Sequence, residues 1–225
     1  MVTDKENILD PFADANPAAP ATVWWQARRS VADAIRELIQ QFSESRTGED
    51  HLLALADNIQ KLSADLSNDR GSMGFSAFVQ EGGHGVNDQI MNEINPVIGH
   101  SNPIAPPLEV WTDGDSVKSQ VNFPLQYEGP PNCVHGGFIA AVFDQLCGCA
   151  QMRIKEPGLT GTLSVRYMLP VPLNKAVFTQ AYVDRREGRK IFVKGEMFCE
   201  GQQVASCEAI FIRWKENAFE DLEKK

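Results

Sequence analysis

His135-Gly136-Gly137 is followed, nine residues after the histidine, by Asp144. Residues 138–143 between them read Phe, Ile, Ala, Ala, Val, Phe, an unbroken apolar run that ends on a carboxylate. Two glycines allow a helix to begin with its first backbone N–H groups uncovered, so that a ligand oxygen can approach closely. The helix dipole makes that end electropositive. A carboxylate inside an otherwise apolar helix is costly unless it has a partner or a task. The pairing suits acyl chemistry, in which a carbonyl oxygen gains negative charge.

The elements that must hold these residues are legible from periodicity. Thr22 is placed to cap a helix in which Trp24, Ala27, Val31, Ile35, Leu38 and Phe42 recur at helical spacing. Thr47-Gly48 breaks it, and a second amphipathic helix carries Leu52, Leu55, Ile59, Leu62 and Leu66, giving a helical hairpin. Residues 67–107 are irregular, with Gly82-Gly83, Gly85 and four prolines, as in a functional cover or linker. From Val117 the pattern alternates: Val117, Val121 and Phe123 stand against Lys118, Gln120 and Asn122. After the glycine-led helix come extended runs at 159–169, 176–186, 190–198 and 203–214, with turn signals at Asn174, Glu187-Gly188 and Glu200-Gly201. Strand, long apolar helix, then a meander of strands implies an α+β fold, an antiparallel sheet wrapped around one helix. The expected organisation is a tail and helical hairpin over 1–66, a linker or cover over 67–104, a sheet domain over 105–215 and a tail over 216–225.

The chain of 225 residues is 43% hydrophobic and 23% charged, values of a globular protein able to bury a substantial core. Residues 1–100 hold 15 acids against 7 basic residues, and the remainder 15 against 14. No basic footprint of a nucleic-acid binder is present. The start, Met1-Val2-Thr3-Asp4-Lys5-Glu6, lacks the basic and apolar regions of a secretory signal, and residues 138–143 are too few to cross a bilayer. Five cysteines, an odd number in apolar sequence, suggest reduced thiols and a cytoplasmic setting. Cys147 and Cys149 lack a second ligand pair for zinc and read as small core residues, so no metal is expected.

Residues 105–215 resemble the hotdog-fold acyl-CoA thioesterases, in the branch of phenylacetate-pathway-type and THEM-type enzymes. The resemblance rests on Tyr127-Glu128-Gly129-Pro130-Pro131, Val134-His135-Gly136-Gly137, Asp144, Thr160 opening a strand that leads to Tyr167, Pro170 and Pro172, and Glu187-Gly188-Arg189-Lys190. His-Gly-Gly alone is a weak signal; the ordered set is strong. It implies hydrolysis of an acyl thioester with no cofactor beyond the coenzyme A of the substrate. In such proteins the Gly137 N–H polarises the thioester carbonyl, with Gly136 and His135 shaping the turn. Asp144 is nucleophile or general base, and the Thr160 hydroxyl positions the water or the carboxylate. Phe138 and Tyr167 belong to the acyl and coenzyme A surface, and Arg189 and Lys190 match the family's basic turn. Asn132 departs from the pattern: some members carry an asparagine six residues before the histidine, where this chain has Gly129.

Gly137 and Asp144 are seven residues apart, on nearly the same helix face but about 10 Å apart along the axis. One thioester carbon cannot sit within roughly 3 Å of both. A second, antiparallel copy of the helix would bring its Asp144 to the first copy's Gly137, which implies a homodimer with composite sites; a homotetramer is left open. Arg185, Arg186, Arg189, Lys190 and Lys194 surround one hairpin and could hold phosphates, or could form a solvated turn. Glu93-Ile94-Asn95-Pro96 with His100 is partly similar to a hotdog hydratase motif, but its acid is Glu and its histidine is displaced. The reading is therefore a thioesterase with acyl-CoA as partner and neither nucleic acid nor membrane. A non-catalytic acyl-CoA-binding module is the main alternative, and an enoyl-thioester hydratase a lesser one.

Overall fold

A computed structural model describes residues 22–67, 90–106, 108–154 and 158–213. The sequence expectations for the N-terminal tail over 1–20, for Gly82, Gly83, Gly85, Pro107 and Trp214, and for the tail over 216–225 lie outside the described residues.

Helix α1 spans Val23–Glu44, and Thr22 caps it as expected, its side chain accepting the Trp25 N–H at 3.3 Å. The face that docks is not the predicted apolar stripe. Trp25 and Ala32 are buried, with Arg29 and Arg36 half-buried on the same side, while Val31, Ile35, Leu38 and Phe42 are exposed. Charge decides the orientation: Arg29 binds Glu93, and Arg36 donates to the carbonyls of His100 (2.9 Å) and Asn102 (2.8 Å). Helix α2, Glu49–Ser67, buries no residue, and Leu53, Leu62 and Leu66 stand out into solvent. Both helices exist where periodicity puts them, but their stripes face away from this chain's core.

A short helix α3, Ile90–Ile94, leads through turns into the sheet. Strand β1, Glu109–Asp113, precedes the expected first strand and pairs with β2, Ser116–Asn122, across Gly114 at φ 58°. It escapes sequence reading because it is an edge strand with no fully buried side chain, so it shows no core-facing alternation. Strands β3 (Gly158–Tyr167), β4 (Ala176–Glu187), β5 (Lys190–Cys199) and β6 (Gln202–Arg213) match the extended runs within a few residues. The turns between them use positive φ at Asn174, Gly188, Glu200 and Gly201, the predicted turn residues. The strand order is β1-β2-β4-β5-β6-β3 with every pair antiparallel, leaving β1 and β3 as edges.

Helix α4, Gly136–Met152, packs across one face of this sheet and buries Ile139, Val142, Phe143, Leu146, Cys147, Cys149 and Ala150 against it. Close approach depends on Gly195 of β5. A Cβ there would fall 2.7 Å from the Cys207 sulfur and 2.9 Å from the Phe143 ring. One apolar helix held in a six-stranded antiparallel sheet is the hotdog arrangement.

Candidate active site

The loop before α4 is built to deliver the helix start. The His135 N–H donates to the Tyr127 carbonyl at 2.8 Å, and the Val134 N–H to the Val171 carbonyl at 2.8 Å. A Cβ on Gly129 would lie 2.7 Å from His135 Cα, so only glycine fits that turn. Asn132 sits at φ 59°, its N–H donating to Glu128 Oε1 at 2.6 Å and its carbonyl accepting from Leu173. These contacts explain its asparagine by turn geometry.

His135 is the N-cap, and its Nδ1 accepts the Gly137 N–H at 3.0 Å. The helix start is therefore not bare, as the sequence suggests: the imidazole covers the N–H expected to meet the substrate. Accepting at Nδ1 puts the ring proton of the neutral histidine on Nε2. The Gly136 N–H has no acceptor among the described residues. Tyr167, at the end of β3, reaches back and donates its hydroxyl to the Gly136 carbonyl at 2.9 Å. A Cβ on Gly136 would meet that ring at 3.4 Å, an ordinary van der Waals contact, so the ring packs directly over the helix start. Phe138 is half-buried and packs edge-on to Tyr127, centroids 4.7 Å apart.

Two turns further on, Asp144 is exposed in the single chain and accepts a hydrogen bond from the Thr160 hydroxyl at 3.1 Å. Thr160 points to this side because it pairs with buried Phe211 on the helix-facing side of the sheet. The β-bulge at Gly161 then turns Thr162 to the opposite face, opposite Ile210. Below Asp144, Gln151 Oε1 accepts the Gly158 N–H at 3.0 Å, a second tie between α4 and β3. The face of α4 left uncovered carries Gly137, Ala141, Asp144 and Gly148. Nucleophilic sulfur is not part of it: the hydrogen bond with Cys207, and then burial, push the Cys147 thiol far above the usual range.

The basic hairpin divides in two. Arg185 is held by Asp184 and Glu187 and stacks on Phe192 at 3.8 Å, and Lys194 binds Asp184, so both are neutralised within the chain. Arg189 donates to the Arg213 carbonyl at 2.9 Å and Lys190 is exposed. Their turn adjoins Arg213, which pairs with Gly158, which in turn meets Gln151 near the end of α4. The α4 rise separates that level from Gly137 of the same chain by about 20 Å.

Residues 132–206 match the family described as the thioesterase superfamily. Over 88 residues the chain is 33% identical to acyl-coenzyme A thioesterase THEM4 of Xenopus laevis, covering 38% of this chain and 40% of that protein. Over 69 residues it is 35% identical to acyl-coenzyme A thioesterase THEM4 of Mus musculus, covering 31% and 30%. The chain thus spans less than half the length of these curated relatives. A crystal structure described as a thioesterase superfamily protein superimposes with TM-score 0.73 at 26% identity, covering 87% of this chain and 97% of that one. The fold is that of a hotdog protein, and residues 132–206 carry its similarity to the thioesterase superfamily. That superposition takes in more than the hotdog domain, so helical sequence ahead of the sheet also has a counterpart there.

Within the hotdog protein, the structure brings together His135, Gly136, Gly137, Phe138 and Tyr167 at the helix start, and Asp144 with Thr160 two turns on. It leaves Arg189 and Lys190 at the other end of the helix and gives Asn132 to a turn. Sequence reasoning missed Arg29, Ser101 and Gln145, which stand around the segment preceding the sheet, and named Asn95 only within the hydratase-like pattern. Glu93, Asn95 and His100 do not form a hydratase site. Glu93 is fully buried on Arg29, Asn95 caps a turn through the Val97 and Ile98 N–H groups, and the His100 carbonyl accepts Arg36. No cluster of metal-ligating side chains occurs among the described residues, and no helix there is long and apolar enough to cross a membrane.

Proposed function

We propose that this protein hydrolyses acyl-CoA thioesters in a dimer whose two sites each take Asp144 from one copy and the helix start from the other. The observation that carries it is the Thr160–Asp144 hydrogen bond of 3.1 Å on the uncovered face of a buried helix. Thr160 engages one carboxylate oxygen and leaves the other to meet water or the thioester carbon. With Asp144 as general base, it takes a proton from water as the oxygen attacks the carbonyl carbon. The carbonyl oxygen gains charge at the Gly136–Gly137 helix start, the C–S bond breaks, and the departing thiolate is protonated. With Asp144 as nucleophile, its free oxygen attacks the carbonyl carbon, the C–S bond breaks and coenzyme A leaves as the thiolate, and water then opens the acyl-carboxylate anhydride to the acid and Asp144.

The dimer is supported by the seven-residue separation and by β3, an edge strand that leaves Leu159 and Tyr167 more than half exposed. Such an edge is a template for pairing. In an antiparallel pair of helices, Arg189 and Lys190 of one copy stand near the helix start of the other, where coenzyme A phosphates would enter. A tetramer of two such dimers is the alternative assembly. All five cysteines are free, which supports a reducing, cytoplasmic compartment.

One observation favours the binding-module reading: the Gly137 N–H is already occupied by His135 Nδ1. Catalysis through Gly137 requires the imidazole to turn aside when substrate enters. A panel of acyl-CoA substrates with thiol release as readout separates the two. Hydrolysis lost in Asp144→Ala supports the enzyme, and coenzyme A binding without hydrolysis of any thioester overturns it. Single turnover in ¹⁸O-water then tests the acid. Unlabelled first-turnover product requires a nucleophile whose anhydride water opens at the Asp144 carboxyl carbon, whereas attack of water at the acyl carbon, as under general-base catalysis, labels the product at once.

A further inference from the structure

Helix α4 is gripped along two flanks by different chemistry. On the β3 flank, Asp144 and Gln151 lie seven residues apart on one side of the helix, tied to Thr160 and to the Gly158 N–H. Two polar ties along one line leave the roll of the helix about that line to be set by the core packing and by contacts on its other flank. Gln145 lies 100° further round. Its Oε1 accepts the Asn95 side-chain amide at 2.8 Å, and its Nε2 contacts the Cys149 sulfur at 3.4 Å.

Asn95 is itself fixed. Its Oδ1 accepts the N–H groups of Val97 (2.8 Å) and Ile98 (3.0 Å), closing the turn after α3. Two residues before it, Glu93 is fully buried and receives Arg29 of α1 through Nε and Nη2, the shortest contact 2.7 Å, with the Ser101 hydroxyl at 2.5 Å. A buried carboxylate clasped in this way contributes a defined geometry more than net stability.

We propose that Asn95 and Gln145 are a positioning pair that sets the roll of α4, and so the aim of Asp144, and that Arg29, Glu93 and Ser101 make this setting depend on docked α1. The inference rests on the thioesterase reading for its consequence in rate, but its structural part stands apart from that reading. A helix roll of a few degrees moves a side-chain carboxylate by a fraction of an ångström, and misplacement by 1 Å can cost about a hundredfold in rate. The N-terminal region thereby acts on the reaction without touching substrate.

The test is a double-mutant cycle on the full chain: Gln145→Ala, Asn95→Ala and both together, with Glu93→Gln as the more distant change. Gln145→Ala is the cleaner single variant, because it leaves the turn contacts of Asn95 in place. The expected result is a fall of about tenfold in kcat with KM changed less than twofold for either alanine. The double variant should lose no more than the worse single, because the two residues act as one unit. Glu93→Gln should lose less, in the same kcat-only pattern. In parallel, amide hydrogen exchange of the α4 segment around residues 143–149 should quicken in each variant while that of β5 stays unchanged. Additive losses in the cycle, or wild-type kcat in the double variant, would overturn the proposal. If the wild-type protein hydrolyses no thioester, the proposed function fails but the exchange arm still decides: unchanged α4 exchange in all variants rejects the pair, and local quickening upholds it.

Discussion

The hotdog body and the N-terminal region solve the same problem, holding α4, in opposite ways. The body uses apolar packing: Phe143, Leu146 and Cys147 press against Gly195, Met197 and Cys207, and Thr160 and Gln151 add two polar ties at the edge. The N-terminal region docks by charge, through Arg29 on Glu93 and Arg36 on two carbonyls, and turns its apolar stripes outward. Apolar packing is tolerant of solution conditions, whereas a charged dock with exposed stripes responds to pH and to neighbouring molecules. The comparison teaches that the candidate site lies in the half held by apolar packing, and the charge-dependent contacts in the other.

The largest expected effect falls in the rigid half. Asp144→Ala should lower kcat/KM by about a thousandfold, in the range for a lost acid–base group, with the melting temperature held because the side chain is exposed. Mixing Gly137→Pro chains with Asp144→Ala chains should restore one working site per mixed dimer. Activity that never returns after verified subunit exchange would break the composite-site picture.

The next effect belongs to the dock. Glu93→Ala leaves Arg29 with its buried partner removed, and breaking such a pair costs about 3 kcal/mol. The loss should appear as early release of α1, read by hydrogen exchange over 23–44, ahead of global unfolding. Simultaneous loss of α1 and sheet protection would show instead that the two halves unfold as one unit.

How much of this was legible in the sequence follows the same division. Residues 136–152 and the four long strands announce themselves because burial imposes a period on them, and the helix start is written in two glycines. His135-Gly136-Gly137, Asp144 and Thr160 were readable as a set, and the structure brings Thr160 to Asp144. The His135 cap over Gly137 was not readable, since a histidine side chain folding back two residues leaves no periodic trace. The apolar stripe of α1 marks a face that wants cover, on the sheet domain or on a neighbouring subunit; within this chain the arginines on the other face dock instead, and no period in the sequence announces them. Asn95 and Gln145 are 50 residues apart in sequence, and nothing in either neighbourhood points to the other.

The exposed stripes give a smaller effect on the chain and a sharper one on assembly. Phe42 and Leu66 are 59% and 72% exposed, so Phe42→Asp with Leu66→Asp should change the stability of a single chain by less than about 0.5 kcal/mol. Rows of large apolar side chains exposed on a helix mark surfaces that are usually covered in the working protein. The expected outcome is a smaller species in sizing and light scattering, with activity per remaining dimer unchanged. An unaltered mass would mean the stripes are not an interface between copies.

The smallest effect comes from His100, inside the charged dock. Burial first, and then the Arg29 guanidinium, hold its imidazole below the usual histidine range, with Arg36 adding to this and Glu93 and Asp33 opposing it. The folded state therefore binds fewer protons than the unfolded state in the window between the lowered folded value and the unfolded one. Its contribution to stability is fully present above the unfolded value of about 6.5 and is lost as pH falls through the lower folded value. The dock should accordingly loosen between neutral and mildly acid pH. Hydrogen exchange of α1 at pH 5.5 against pH 7.5, each referred to β5 at the same pH to remove the intrinsic rate change, reads this directly. In wild type the ratio should rise on acidification, and in His100→Gln, which has no proton to gain, it should stay flat. A ratio that rises equally in both proteins would assign the pH response to another group in the dock and leave His100 as packing alone.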